Sequence, residues 1–206
     1  MMKSVRVAIF ASGTGSNAEA LIKKMQSLGG AVEFVLTDKP AAGVLAKAHA
    51  LNTKTYVVEK TQDRTHHEQE VLKILVQHQI DWVLLAGYMR LLSADFLQFL
   101  ADRHNGHSQV VNIHPSLLPV YPGKDSLERA FADKVPQSGV TLHLVDEGMD
   151  TGMILKQVAL PLKGLNAFND FKASIHRLEH QIYTEFLEQI VTGHIATHSF
   201  KETIEC

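Results

Sequence analysis

Short apolar runs alternate with helix-like segments along most of this chain, and this alternation limits its possible folds more than any other feature. Buried strands are predicted for the apolar runs at residues 5–11, 32–36, 55–58, 82–86 and 110–113. Helices are predicted between them at about residues 17–28, 43–51, 65–77 and 94–100. Repeated βα units favour an α/β protein with an open, doubly wound, mostly parallel sheet and helices on both faces.

The second half of the chain adds further strands and a long helix. We predict a short helix at residues 127–132, strands at 140–145 and 154–162, and a helix at 168–191. One apolar face of this last helix is traced by Phe171, Ile175, Leu178, Ile182 and Phe186. No internal repeat or long linker divides the sequence, so we expect a single domain over residues 1–206.

Charge and cysteine content exclude several classes of protein. The formal net charge is -2 and the sequence pI is about 6.6, without the basic patch that binds nucleic acids or acidic membranes. The only cysteine, Cys206, excludes an intrachain disulfide framework and fits a reducing compartment. The N-terminal apolar run at residues 7–11 is shorter than a signal peptide or a membrane span requires. We therefore expect a cytoplasmic protein.

The loop after the first strand has the features of a phosphate cradle. Residues 11–19 read Ala-Ser-Gly-Thr-Gly-Ser-Asn-Ala-Glu, and Ser16 with Glu19 has the spacing of a helix capping box. Glycines allow close approach to the backbone, and the N–H groups of a helix N-terminus attract anions. Gly15, Ser16 and Asn17 are therefore candidate phosphate-binding residues.

Two other interpretations of this loop stay open at this point. Residues 13–18 also fit the G-x-G-x-x-A form of the dinucleotide fingerprint, with Asp38 after the second strand in place to bind a ribose, which makes a nicotinamide enzyme a rival. A tight strand–helix turn that binds nothing is the other interpretation. The polar pair Ser16 and Asn17 suits a terminal monophosphate at least as well as a pyrophosphate.

A second group of polar residues follows the fifth predicted strand. The stretch 112–119 reads Asn-Ile-His-Pro-Ser-Leu-Leu-Pro, and alternation along a strand places Asn112 and His114 on one face. An amide donor beside an imidazole suits oxyanion stabilisation and proton transfer, although both residues could simply shape a proline-rich turn. The acidic loop at 146–152 would join this chemistry only if Asp150 paired with His114.

Two further patterns have weaker implications. Residues 87–92, Gly-Tyr-Met-Arg-Leu-Leu, could hold a flat heterocycle through exposed backbone and apolar side chains, but core packing is the commoner role of such residues. His176, Glu179 and His180 fit the H-x-x-E-H pattern of some zinc peptidases. No third ligand can be placed, so we interpret the histidine pair as the polar face of a helix and expect no metal.

Taken together, residues 12–17, 86–93, 112–119 and 146–152 resemble the phosphoribosylglycinamide formyltransferases, the folate-dependent glycinamide ribonucleotide transformylases of the single-function bacterial type. The resemblance extends from about residue 5 to 191. It implies a Rossmann-like formyltransferase fold. It also implies a ribonucleotide-binding half at about residues 1–100 and a catalytic, folate-binding half at about 101–206.

The resemblance also assigns roles to individual residues. The family's catalytic residues match Asn112, His114 and Asp150. Its substrate-binding positions match Gly15, Ser16, Asn17 and Glu179, the last contacting the glycinamide end. Its folate positions match Arg64, Met89, Arg90, Leu91, Leu92 and Asn112. The implied reaction moves the formyl group of 10-formyltetrahydrofolate to the amine of 5-phosphoribosylglycinamide in de novo purine biosynthesis.

In the implied reaction, Asn112 and a protonated His114 stabilise the tetrahedral oxyanion, and Asp150 keeps His114 charged and relays protons. A formyltetrahydrofolate deformylase could use the same three residues, and a ligand sensor could keep the pockets without turnover. Methionyl-tRNA formyltransferases carry an additional RNA-binding domain for which we see no counterpart. The expected partners are therefore the two small molecules alone, with no nucleic acid or membrane, and a homodimer is left open.

Overall fold

The computed structural model describes residues 5–165 and 167–198. Every predicted element is present, with its ends displaced by three residues at most. The strands are β1 Val7–Phe10, β2 Phe34–Thr37, β3 Thr55–Val57, β4 Trp82–Leu85, β5 Val110–His114, β6 Gln137–Leu144 and β7 Ile154–Pro161. The helices are α1 Ser16–Ser27, α2 Gly43–Ala50, α3 Arg64–Gln77, α4 Ala94–Arg103, α5 Ser126–Ala132 and α6 Phe168–Val191. Cys206 lies outside the described residues.

The described strands form one seven-stranded sheet in the order β3-β2-β1-β4-β5-β6-β7. The pairs among β3, β2, β1, β4 and β5 are parallel, whereas β6 and β7 join in antiparallel fashion. The chain leaves β1 toward one edge of the sheet and returns on its other side with β4. The switch in winding direction therefore lies between β1 and β4, where open α/β sheets bind their ligands. The predicted open, mostly parallel sheet is confirmed.

The first strands are buried on both faces because helices cover both sides of the sheet. Val7 and Ile9 belong to the core that packs under α1 and α6, while Ala8 and Phe10 belong to the core under α3 and α4. This double burial explains why these strands read as continuous apolar runs. Within residues 5–165 and 167–198, no helix combines the length and the apolar composition needed to cross a bilayer.

Helix α6 is tied to the centre of the sheet by one tyrosine. The hydroxyl of Tyr183 is fully buried and lies 3.1 Å from the carbonyl oxygen of Leu85 and 3.0 Å from that of Val111. These two carbonyls belong to β4 and β5. The contact fixes the rotation of α6 and, one helical turn earlier, points Glu179 toward the carboxyl ends of the strands.

Candidate active site

A cavity of about 470 Å³ opens at the switch point of the sheet. Its wall is formed by the loop after β1, the loop after β4, the end of β5, the loop after β6 and one face of α6. The polar side chains in this wall include Ser16, Asn17, Arg90, Asn112, His114, His143, Asp150, His176 and Glu179. Residues predicted from separate motifs, more than 100 positions apart in sequence, therefore line one cavity.

Asn112, His114 and Asp150 lie together as the sequence predicts. The Nδ1 atom of His114 is 3.3 Å from a carboxylate oxygen of Asp150, and the Nδ2 atom of Asn112 is 3.4 Å from the other oxygen. The backbone N–H of Gly123 donates to Asp150 at 2.7 Å. Asp150 itself has a left-handed backbone, with φ of 57°, which turns its side chain back toward β5.

The predicted charge state of His114 is wrong for the unliganded site. The sequence led us to expect that Asp150 would keep this imidazole protonated at neutral pH. Burial lowers the pKa of His114 below its ordinary value, and the Tyr121 carbonyl and Asp150 oppose this change without cancelling it. Because the Tyr121 carbonyl 2.8 Å away can only accept, Nε2 of the neutral ring carries the proton and Nδ1 faces Asp150.

Asp150 stays ionised for a combination of reasons. Burial alone would raise the pKa of this carboxyl. The hydrogen bond from the Gly123 N–H, together with the proximity of the His143 and His114 side chains, outweighs burial and lowers the pKa below its ordinary range. A carboxylate anion therefore lies beside a neutral imidazole.

His143 lines the cavity, although sequence analysis predicts no role for it. It pairs with Asn112 across the antiparallel β5–β6 ladder. Its Nδ1–H donates to the Leu144 carbonyl at 2.9 Å, so its Nε2 accepts from the Asn112 Nδ2 at 3.1 Å. Both N–H bonds of the Asn112 amide are thus engaged, one by His143 and one, at the longer distance, by Asp150. Correct pairing of the predicted strands 110–113 and 140–145 was the one signal that could have identified it.

The loop after β1 does present a helix N-terminus to the cavity, but the predicted capping box is wrong. The N-cap of α1 is Gly15, with φ of 76° and no side-chain cap, and Ser16 is already the first helical residue. Glu19 instead contacts Lys23 and Lys47 at 2.6 and 2.7 Å, and these two ammonium groups lower its pKa to about 2. The first N–H groups of α1 have no acceptor within the helix and no capping side chain, which favours an anion there.

Glu179 lies beside this loop, deep in the cavity. Only 5% of the residue is exposed, and the Asn17 Nδ2 donates to its carboxyl group at 3.3 Å. Burial raises the pKa of Glu179 to about 7, against the opposing effect of the Asn17 hydrogen bond. The predicted substrate residues Gly15, Ser16, Asn17 and Glu179 are therefore neighbours.

Only part of the His176–Glu179–His180 motif faces the cavity. His176 lines the cavity with Glu179, one helical turn away, whereas His180 is absent from the cavity wall. The predicted polar face of the helix is therefore partly buried, and burial lowers the pKa of both histidines. Among residues 5–165 and 167–198, no three His, Cys, Asp or Glu side chains lie close enough together to bind a metal ion.

The segment 87–92, predicted to bind folate, forms one rim of the cavity. Met89 is 59% exposed and Leu91 48%, while Leu92 is buried. Arg90 also lines the cavity. Arg64 does not: its guanidinium bonds to the Leu91 carbonyl at 3.0 Å and to Glu68 at 3.1 Å, outside the cavity wall.

Ser12 and Asp38 connect this rim to the loop after β1. The Ser12 Oγ donates to the Asp38 carboxylate at 2.6 Å and accepts from the Met89 N–H at 3.1 Å, while the Ser12 N–H donates to the Gly87 carbonyl. Asp38 is buried, and its carboxylate oxygen is engaged by a protein hydroxyl. Asp38 therefore links two loops and is not exposed for hydrogen bonding to a ribose.

An open sheet with this winding carries an Asn-His-Asp group at its carboxyl end, and the family match identifies the class of protein as a formyl transferase. Residues 5–187 match the formyl transferase family (Formyl_trans_N), and the chain belongs to this family.

Among its relatives is the phosphoribosylglycinamide formyltransferase of Bacillus subtilis strain 168, 35% identical over 190 residues that span 90% of this chain and 94% of that protein. The human trifunctional purine biosynthetic protein adenosine-3 is 34% identical over 195 residues, or 93% of this chain but 19% of the human protein. The crystal structure of phosphoribosylglycinamide formyltransferase from Bacillus halodurans aligns with a TM-score of 0.83 and 38% identity, over 92% of this chain and 97% of that chain.

Proposed function

We propose that this formyl transferase moves the formyl group of 10-formyltetrahydrofolate to the amine of 5-phosphoribosylglycinamide, a step of de novo purine biosynthesis. One observation supports this proposal above the others. A helix N-terminus suited to a phosphate and the Asn112–His114–Asp150 group line the same cavity, at different parts of its wall. A phosphate at Gly15–Asn17 would anchor the acceptor far from the reacting carbon and thereby position its amine.

The neutral state of His114 suggests how protons move. The amine nitrogen bonds to the formyl carbon, and the proton it loses passes to His114 Nδ1, the nitrogen that is not committed to Tyr121. The carboxylate of Asp150, 3.3 Å away, stabilises the imidazolium that results. When the bond between the formyl carbon and N10 breaks, the proton returns to N10. His114 therefore becomes charged during the reaction instead of beforehand.

Asn112 supplies the hydrogen bond to the tetrahedral oxyanion. Of its two N–H contacts, the one with Asp150 is longer, at 3.4 Å, than the one with His143, at 3.1 Å. The oxyanion would replace Asp150 as the acceptor, while His143 keeps the amide in orientation. A donor fixed before the charge develops is the arrangement that stabilises an oxyanion most effectively.

The wider assignment follows from the same chemistry. The co-substrate would be 10-formyltetrahydrofolate, bound along residues 87–92 with Asn112, and no step calls for a metal. The ribonucleotide would occupy the half at residues 1–100 and the catalytic groups the half at 101–206, with the folate between them. A cytoplasmic enzyme acting on two small molecules is consistent with the acidic net charge.

The decisive experiment is a spectrophotometric assay of tetrahydrofolate release. With 10-formyltetrahydrofolate alone we expect release to be slower by orders of magnitude than with added 5-phosphoribosylglycinamide, because water has no phosphate to anchor it. Glycinamide without its ribose phosphate should react poorly even at high concentration. Equal rates with and without the ribonucleotide would instead make the protein a formyltetrahydrofolate deformylase.

A further inference from the structure

One face of α3 holds the rim at residues 87–92 from outside the cavity. Arg64, His67 and Glu68 are spaced i, i+3 and i+4, so they share this face. Arg64 donates to the Leu91 carbonyl at 3.0 Å. His67 Nδ1–H donates to the Glu59 carbonyl, so its Nε2 accepts from the Tyr88 hydroxyl at 3.1 Å. Two residues of this helix face thus contact the rim, and the third, Glu68, contacts Ser93 directly after it.

Glu68 is the most heavily engaged of the three. The residue is buried, and one carboxylate oxygen accepts from the Ser93 N–H at 2.9 Å and from the Arg64 Nε at 3.1 Å. The other oxygen accepts from the Ser93 hydroxyl. Ser93 is in turn the N-cap of α4, where its Oγ accepts from the Phe96 N–H at 3.1 Å. A single carboxylate therefore joins α3, the end of the rim and the start of α4.

Packing holds the rim at Tyr88 and Leu92, which are buried, but not between them. Met89 and Leu91 are about half exposed, so the backbone at these two positions depends on hydrogen bonds. The backbone is held at its first part by Ser12 and at its last part by Arg64 and Glu68. Without the carboxylate, Arg64 would lose the group that orients it toward the Leu91 carbonyl, and the backbone at Leu91 would be less firmly held.

We propose that Glu68 is a positioning residue for the folate-binding rim, acting through Ser93 and Arg64. The proposal rests on the proposed function, since it takes the formyl donor to bind along residues 87–92. In this arrangement the Glu68 carboxylate orients the Arg64 guanidinium, which holds the Leu91 carbonyl. Glu68 lies outside the wall of the cavity, so it acts on the rim through Ser93 and Arg64.

The test is Glu68→Gln, which keeps the shape of the side chain and removes its charge. Losing hydrogen bonds to a carboxylate should raise KM for 10-formyltetrahydrofolate about tenfold, with KM for the ribonucleotide changed by less than about twofold. The matched control is Glu70→Gln on the same helix, an exposed carboxylate that pairs with Lys73, and it should leave both values unchanged. Ser93→Ala should raise the same KM, and the double variant should not add the two effects.

Two results would overturn the proposal. One is an unchanged KM for the formyl donor in folded Glu68→Gln and Ser93→Ala proteins. The other is an equal rise in both KM values, which would indicate general loosening. If Glu68→Gln fails to fold, Ser93→Ala gives the readout, because it removes the hydroxyl that donates to Glu68. A wild-type protein that consumes no formyl donor with the ribonucleotide would refute the proposed function instead, so the two failures are distinguishable.

The role of Arg64 can be separated with a shortened donor. We expect Arg64→Gln to raise KM for 10-formyltetrahydropteroate, which lacks the glutamate tail, as well as for 10-formyltetrahydrofolate, because the Leu91 carbonyl loses its partner in both cases. A direct contact between Arg64 and the glutamate carboxylates would enlarge the effect with the folate only. An effect confined to the folate would remove Arg64 from the positioning face.

Discussion

Both ring nitrogens of His114 face hydrogen-bond acceptors: Nδ1 lies 3.3 Å from the Asp150 carboxylate, and Nε2 lies 2.8 Å from the Tyr121 carbonyl. Since burial lowers the pKa of His114, the ring in the free site carries one proton, at Nε2. Nδ1 is then an unprotonated nitrogen next to an anion. Nδ1 can therefore accept a proton, and the Asp150 carboxylate stabilises the imidazolium that forms.

The first prediction follows for Asp150→Asn. Removing the carboxylate should lower kcat at least about 100-fold, because the His114 imidazolium that forms during the reaction would lose the charge that stabilises it. It should also lower the pKa of His114 further, because Asp150 is one of the groups that raise it. Activity needs the neutral ring, so the acid limb of the kcat–pH profile should move to lower pH. A folded variant with full activity and an unchanged profile would contradict this role.

A second prediction concerns the support of Asn112 by His143. Asn112→Ala should lower kcat about 100-fold, the usual effect of losing an oxyanion donor. His143→Phe removes only the acceptor that orients the amide, so we expect a loss of about tenfold in kcat, the value of one hydrogen bond. If His143 acts through Asn112, the double variant should be no slower than Asn112→Ala alone. Additive losses would show that His143 has a separate role.

Local periodicity predicted the fold and the shared face of Asn112 and His114, whereas the inclusion of Asp150 came from the family resemblance. Continuous apolar runs identify strands buried on two faces, and alternation along β5 places Asn112 and His114 on the same side. The N-cap of α1 is Gly15 and not the predicted Ser16. This difference could not be foreseen, because it depends on a left-handed backbone at Gly15. Sequence spacing alone allows Ser16 to be a cap or a first helical residue.

The remaining differences arise from contacts between distant segments. Ser12 meets Asp38 across 26 positions and Glu68 meets Ser93 across 25, and no short pattern encodes either pair. The charge of His114 depends on how deeply the ring is buried. The carboxylate of Asp150, which the sequence identifies, accounts only for an effect that raises the pKa of His114. Burial, which lowers the pKa, becomes visible only when the loops have been placed.

The third prediction uses the raised pKa of Glu179. A carboxyl group with a pKa of about 7 when folded and about 4.5 when unfolded binds more protons in the folded state. Its contribution to the free energy of unfolding therefore falls as pH rises from about 4.5 to 7, by up to roughly 3 kcal/mol. Glu179→Gln should melt at a higher temperature than the wild type at pH 8, with the difference shrinking toward pH 5.

The same variant should bind the ribonucleotide less well, since Gln cannot supply the negative charge expected beside the glycinamide end. Glu188→Gln is the control, because Glu188 is an exposed residue of α6 that pairs with Lys24. It should change neither the pH dependence of melting nor KM. A Glu179→Gln protein whose melting temperature follows the wild type at every pH would show that Glu179 is not protonated in the free site.

The fourth prediction concerns Gly15. A Cβ atom built there would lie 2.6 Å from the Val44 Cβ, and φ of 76° is unfavourable for other residues. Gly15→Ala should therefore lower the free energy of unfolding by on the order of 1–3 kcal/mol. It should also raise KM for the ribonucleotide while leaving KM for the formyl donor unchanged, because the displaced N–H groups belong to the phosphate side of the cavity. Equal effects on both KM values would argue against a phosphate at this loop.

The last prediction separates a phosphate monoester from a dinucleotide at the same loop. Asp38, which a nicotinamide enzyme would turn toward the ribose, is buried and bonded to Ser12 at 2.6 Å, and Gly15–Asn17 offers the uncapped N-terminus of a single helix. We therefore expect 5-phosphoribosylglycinamide to raise the melting temperature in a concentration-dependent way, and NADH or NADPH to leave it unchanged. Asp38→Asn should not create nicotinamide binding, because the side chain would still be covered. Saturable binding of NADH at micromolar concentration, in competition with the ribonucleotide, would mean that the loop is a dinucleotide site and that the phosphate assignment is wrong.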